Sequence, residues 1–87
     1  MTFEGAVVKE QGITFAIVIV KPHVVQSPFE ATRFINGFGA RAFPGMPVVL
    51  MAQNYRGVPT YYGRRDIVNF LANTVVAAIP WRQYTIS

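Results

Sequence analysis

Hydrophobic and polar positions change rhythm several times along this chain, and each change marks an element. Residues Phe3–Lys9 alternate, with Phe3, Gly5 and Val7 set against Glu4, Ala6 and Val8, which predicts a strand. Glu10-Gln11-Gly12 follows as a tight turn, where glycine can take positive φ. Ile13–Val20 (ITFAIVIV) is apolar at nearly every position and rich in β-branched residues. Such a run predicts a strand in the middle of a sheet with both faces covered. Lys21-Pro22-His23 ends it, because proline cannot donate to a ladder.

Helical spacing begins at Ser27, which stands as an N-cap before Pro28, with Glu30 completing an S-x-x-E capping box. Ala31, Phe34, Ile35 and Phe38 recur on one face, and Gly37 and Gly39 predict that the helix closes near Phe38. Phe43-Pro44-Gly45 suits a type II turn, and Met46–Gln53 (MPVVLMAQ) reads as a second fully apolar strand. Asn54–Gly57 suits a type I turn, and Pro59–Tyr62 a short strand placed at an edge or beginning by its proline. After Gly63, residues Ile67, Phe70 and Leu71 share one face of a second helix that ends near Asn73. The tail Trp81–Ile86 alternates again, with Trp81, Gln83 and Thr85 on one side and Arg82, Tyr84 and Ile86 on the other.

The element order is ββαββα(β). A strand–helix–strand unit over Ile13–Gln53 predicts two parallel strands joined by a right-handed crossover. The expected fold is therefore α/β (α+β): a mixed four- or five-stranded sheet packed with two helices, in one domain of 87 residues. Gly57-Val58-Pro59-Thr60, followed by strand and helix, resembles the proline-bearing loop of thioredoxin-like domains. The chain has no Cys-x-x-Cys, so no redox role follows from the resemblance.

Composition narrows the chemistry. With no cysteine, disulfides, thiolate metal sites and thiol catalysis are excluded. His23 is the sole histidine and the four carboxylates are scattered, so the reading favours neither an enzyme nor a metal site, and no cofactor is expected. The longest apolar run is far shorter than the ~20 residues a bilayer span requires, and the start of the chain lacks the pattern of a signal peptide. A cytoplasmic protein without membrane contact is expected. At 52% hydrophobic and 14% charged, the chain is more apolar than most small domains, and a homodimer would cover the excess.

Charge is unevenly spread. Lys9 and Lys21 stand against Glu4, Glu10 and Glu30 in the first third, whereas six arginines face only Asp66 in the remainder. Gly63-Arg64-Arg65-Asp66 is the densest cluster, and it falls at a predicted helix start. Arginines there oppose the helix dipole at a cost of roughly 0.3–1 kcal/mol each, an expense that a bound anion would offset. Gly63, Arg64, Arg65 and Asp66 are thus the candidate site for phosphate or a nucleotide. If Asp66 is the N-cap, both arginines lie in the loop and the conflict vanishes. Tyr55, Arg56, Tyr62, Trp81 and Arg82 are candidate contributors to a basic aromatic surface of the kind that stacks unpaired bases. The functional expectation is a small binding or interaction domain with an anionic ligand. The alternatives are a nucleic-acid binder using that arginine and aromatic surface, and a small enzyme of unspecified reaction.

Overall fold

The computed structural model describes residues 1–10 and 12–86. The element order is β1 (Thr2–Glu10), β2 (Ile13–Ile19), α1 (Pro22–Val25), α2 (Pro28–Arg41), β3 (Val48–Gln53), β4 (Pro59–Tyr62), α3 (Arg65–Ala72), a 3-10 turn (Val76–Ala78) and β5 (Arg82–Thr85). The five strands form one mixed sheet in the order β4-β3-β2-β1-β5. As the apolar run predicts, β2 is central, and it lies parallel to β3 with Ala16 opposite Val48. The remaining three pairings are antiparallel.

Helices cover both faces, so the double-sided apolar character of β2 and β3 has a direct cause. On one face, Ala16, Val18, Val48 and Leu50 pack against Val24 of α1 and against Ala31 and Phe38 of α2. On the other, Phe15, Ile17, Val49 and Met51 pack against Ile67 and Leu71 of α3 and against Ile79. Tyr61 and Tyr62 go to opposite faces, as strand alternation requires. The α2 face carries an aromatic cluster: Phe3 lies 4.7 Å from Phe38 and stacks on Tyr84 at 5.4 Å, and Phe43 meets both Phe3 and Tyr84 edge-on.

Local structure differs from the sequence reading in several places. Pro22–Val25 forms a short helix, because proline at a first helical position needs no donor. α2 does not close near Phe38 but runs through Gly37 and Gly39 to Arg41. Phe43 and Phe38 bury that last turn against the sheet, and packing overrides the glycines' weak helix propensity. The β3 ladder starts at Val48 rather than Met46. The capping box is half made: Ser27 Oγ accepts from the Glu30 N–H at 3.3 Å, while the Glu30 carboxylate sits 3.7 Å from His23 Nε2. The first turn expected in the sequence includes Gln11, which lies outside the described residues; its Gly12 has φ +79°. Among the described residues, no helix is long and apolar enough to cross a membrane.

Candidate functional site

At the start of α3, Arg64 is the N-cap residue and Arg65 the first helical one, so Asp66 lies inside the first turn and is not the cap. Both arginines do face the dipole, and for Arg64 the conflict is resolved internally. Arg64 grips Asp66 with two parallel bonds, Nε to Oδ1 at 2.8 Å and the terminal guanidinium nitrogen to Oδ2 at 3.0 Å. That grip, with added help from the Ile67 N–H, holds the Asp66 carboxyl below the usual carboxylate range. Asp66 is itself the anion at this helix start. Gly63 has a packing reason of its own: with φ +155° it passes over β3 so closely that a Cβ would stand 3.0 Å from Val49 Cγ2 and 3.2 Å from Val49 Cα. Arg65 is exposed and makes no ion pair among the described residues.

The five basic and aromatic candidates are not brought together. Tyr55, 90% exposed, and Arg56 form the tip of the β3–β4 turn, with the guanidinium 5.5 Å from the ring centre and Nε donating to the phenol oxygen at 3.1 Å. Asn54 Oδ1 fixes that turn by accepting from the N–H groups of Arg56 and Val58. Tyr62 packs into the α2 face and Trp81 against the α3 face, where its indole N–H donates to the Val76 carbonyl at 2.9 Å. Arg82 lies on β5, at the opposite edge of the sheet from β4, roughly 19 Å away at ordinary strand spacing. Tyr55 and Arg56 stand together at one edge, while Trp81 and Arg82 are consecutive in the chain at the other but belong to opposite faces by alternation.

A more spacious concavity lies elsewhere. A groove of about 450 Å³ runs along α2, bounded by that helix, by His23 of α1 and by Met1 and Ile86. Met1 and Ile86 meet because β1 and β5 are antiparallel, and they exchange backbone hydrogen bonds of 2.8 and 2.9 Å. Phe34, Phe38 and Ile86 give the groove an apolar lining, and Arg33 and Arg41 put two guanidinium groups on its helix side. Among the described residues that line it, Glu30 is the one acidic side chain, and it already faces His23. Arg33 also lies over the ring of Phe29, 5.8 Å from its centre.

Gly37 is the unusual residue of this groove. A glycine inside a helix costs about 1 kcal/mol relative to alanine. Gly63 justifies itself by close approach, but at Gly37 a Cβ would meet nothing within 4 Å. Its side-chain position opens onto the groove. Sequence reasoning takes Gly37 for a helix terminator and so passes over the groove. The available signal is the i, i+1, i+4, i+5, i+8 stripe of Arg33, Phe34, Gly37, Phe38 and Arg41, in which cationic, aromatic and missing side chains share one side of α2.

Among the described residues, no three histidine, aspartate or glutamate side chains gather as a metal site would require. No family model, curated protein or solved structure matches the chain.

Proposed function

We propose that this chain is a small binding domain whose ligand is an amphipathic anion, held in the groove along α2. An apolar body rests on Phe34, Phe38 and Ile86, and an anionic end meets Arg33 at the rim. The observation that carries this reading is Gly37: a mid-helix glycine without a close neighbour, whose absent side chain keeps the groove open. The groove's volume falls within the range of small-molecule sites, and its mixture of apolar lining and few charges is what such sites use.

The test is calorimetric titration with 8-anilinonaphthalene-1-sulfonate, phenylacetate, hexanoate and inorganic phosphate, on the parent chain and on Gly37→Leu. The side chain added at position 37 projects into open space, so the variant should fold at least as stably while losing the three amphipathic anions. Binding unchanged by Gly37→Leu would place the ligand elsewhere.

The α3 start supports a second reading, a simple phosphate site, because Arg65 is exposed at the first helical position and makes no ion pair among the described residues. There an external anion competes with Asp66 for Arg64. Inorganic phosphate binding that is lost in Arg64→Ala/Arg65→Ala and retained in Gly37→Leu would favour this reading. A single-stranded oligonucleotide in the same series tests the nucleic-acid alternative, through steep salt dependence and loss in Tyr55→Ala/Arg56→Ala.

A further inference from the structure

We infer that two copies of this chain pair antiparallel along β5, in a register centred on Tyr84, and that Arg82 of the partner subunit thereby stands at the mouth of the α2 groove. The pairing is argued from the backbone. The role of Arg82 rests on the proposed ligand site.

β5 is an edge of the sheet. Because Met1 and Ile86 exchange both backbone hydrogen bonds, antiparallel alternation makes Tyr84 and Arg82 the next residues bonded to β1. The N–H and C=O groups of Gln83 and Thr85 therefore point away from the sheet, along an open edge. Proteins protect such edges with proline, lysine or inward charges. The other edge strand, β4, begins with Pro59, but β5 (RQYT) contains neither proline nor lysine, and its one charge, Arg82, is exposed at the strand's first position.

One two-fold register uses all the outward groups. Centred on Tyr84, it sets Gln83 of each copy opposite Thr85 of the other, giving four backbone hydrogen bonds. Centring on Gln83 or on Thr85 would leave the other residue's groups without a β5 partner. In the Tyr84 register the two Tyr84 side chains face each other, and Arg82 of each copy lies opposite Ile86 of the other. Such non-hydrogen-bonded pairs hold their Cα atoms about 4.5 Å apart.

Tyr84 and Ile86 both project to the α2 face, and Arg82 shares their parity. Ile86 lines the groove, so the partner's Arg82 arrives at the groove's mouth and adds a second cation within reach of the ligand. The register also keeps the two Arg82 side chains apart, opposite isoleucine rather than each other. Each chain carries a net charge of +4, so the copies repel at low salt, and an anion in the groove relieves that repulsion. Ligand binding and pairing are therefore coupled and reinforce one another.

Sedimentation velocity from micromolar to millimolar protein, at low and high salt, should show a dimer that strengthens with salt. Register is tested with cysteines, since the chain has none of its own. The double variant Arg82→Cys/Ile86→Cys, and an equal mixture of the two single variants, should form linked dimers under mild oxidation, while either single variant alone should not. Thr85→Pro removes only an outward N–H and should yield a folded monomer. The cysteine mixture keeps the proposal testable should that variant fail to fold. A chain that stays monomeric throughout, or single variants that cross-link as readily as the mixture, would overturn the pairing.

The Arg82 contribution is read by 8-anilinonaphthalene-1-sulfonate titration of the dimer. Arg82→Ala should weaken binding about tenfold with dimerisation intact, and unchanged affinity would remove Arg82 from the site. A parent chain that does not bind the probe contradicts the groove reading, while sedimentation and cross-linking still decide the pairing.

Discussion

On the α3 face of the sheet, most of the local chemistry is met from within. Arg64 finds Asp66, Gly63 is consumed by its approach to Val49, and the apolar side chains of α3 are buried on Phe15, Ile17, Val49 and Met51. On the α2 face the aromatic cluster is equally well packed beneath the helix, yet along the flank of α2 the packing stops short. Phe34 remains 37% exposed, Gly37 contributes no side chain, and Arg33 and Arg41 border the space that results. A charge cluster conspicuous in the sequence can thus be satisfied by its own neighbours. An inconspicuous glycine can leave the surface on which a ligand is recognised.

The largest effects should come from removing a buried side chain on either face. Phe38→Ala should cost about 3–5 kcal/mol and Leu71→Ala about 2–5 kcal/mol in chemical denaturation, since both create cavities. Their consequences for binding should diverge, because Phe38 lines the groove and Leu71 does not. Phe38→Ala should abolish binding of the amphipathic anions, while Leu71→Ala, assayed where it remains folded, should bind as the parent does.

Substituting the two glycines should give effects of opposite sign. Gly63→Ala places a methyl against the β3 backbone at a positive φ and should destabilise by about 1–3 kcal/mol. Gly37→Ala should stabilise by about 0.5–1 kcal/mol, because it improves the helix and meets nothing. Destabilisation by Gly37→Ala would mean that the glycine has a packing reason after all, and the argument for the groove would lose its main support.

Tyr61 marks a loose point on the α3 side. Its hydroxyl is shielded and has no hydrogen-bond partner, and burial raises its pKa above the ordinary 10.0. Tyr61→Phe should stabilise by about 1 kcal/mol. A raised folded-state pKa means that the phenol's contribution is fully present below the unfolded value and is lost as pH climbs from there through the folded one. The parent should therefore lose stability above about pH 10 in a way that the variant does not share.

The smallest expected effect concerns Asp66, whose pKa is depressed first by the hydrogen bond from Arg64. Its stabilising contribution is present above the unfolded carboxylate value, near 4, and should fade as pH falls through the lower folded value. Thermal melts between neutral and strongly acidic pH should show this loss in the parent and not in Asp66→Asn. Because the pair is exposed, added salt should shrink the difference.

Much of the architecture is legible in the chain because its signals are local or double-sided. An apolar run such as ITFAIVIV can be satisfied only between two covering layers, and it occupies the centre of the sheet. The alternation of Trp81 and Tyr84 likewise assigns them correctly to opposite faces. The length of α2 is not legible, since Gly37 and Gly39 look like terminators until Phe38 and Phe43 are seen anchoring the final turn. The groove is less legible still. It needs Met1 and Ile86, 85 positions apart, to meet at one end of the β1–β5 ladder beside His23, and no spacing within the sequence announces that meeting. The arginine pair at α3 is visible in the sequence, but its partner is not, because Asp66 reads there as a cap that would leave both arginines in the loop.

The most direct measurement is amide and side-chain NMR shift mapping of the parent chain titrated with 8-anilinonaphthalene-1-sulfonate. The account predicts saturable shifts concentrated on Arg33, Phe34, Gly37, Phe38 and Ile86, with Gly63–Asp66 unmoved. Shifts centred on Gly63–Asp66, or on Tyr55 and Arg56, with the α2 groove silent, would contradict it.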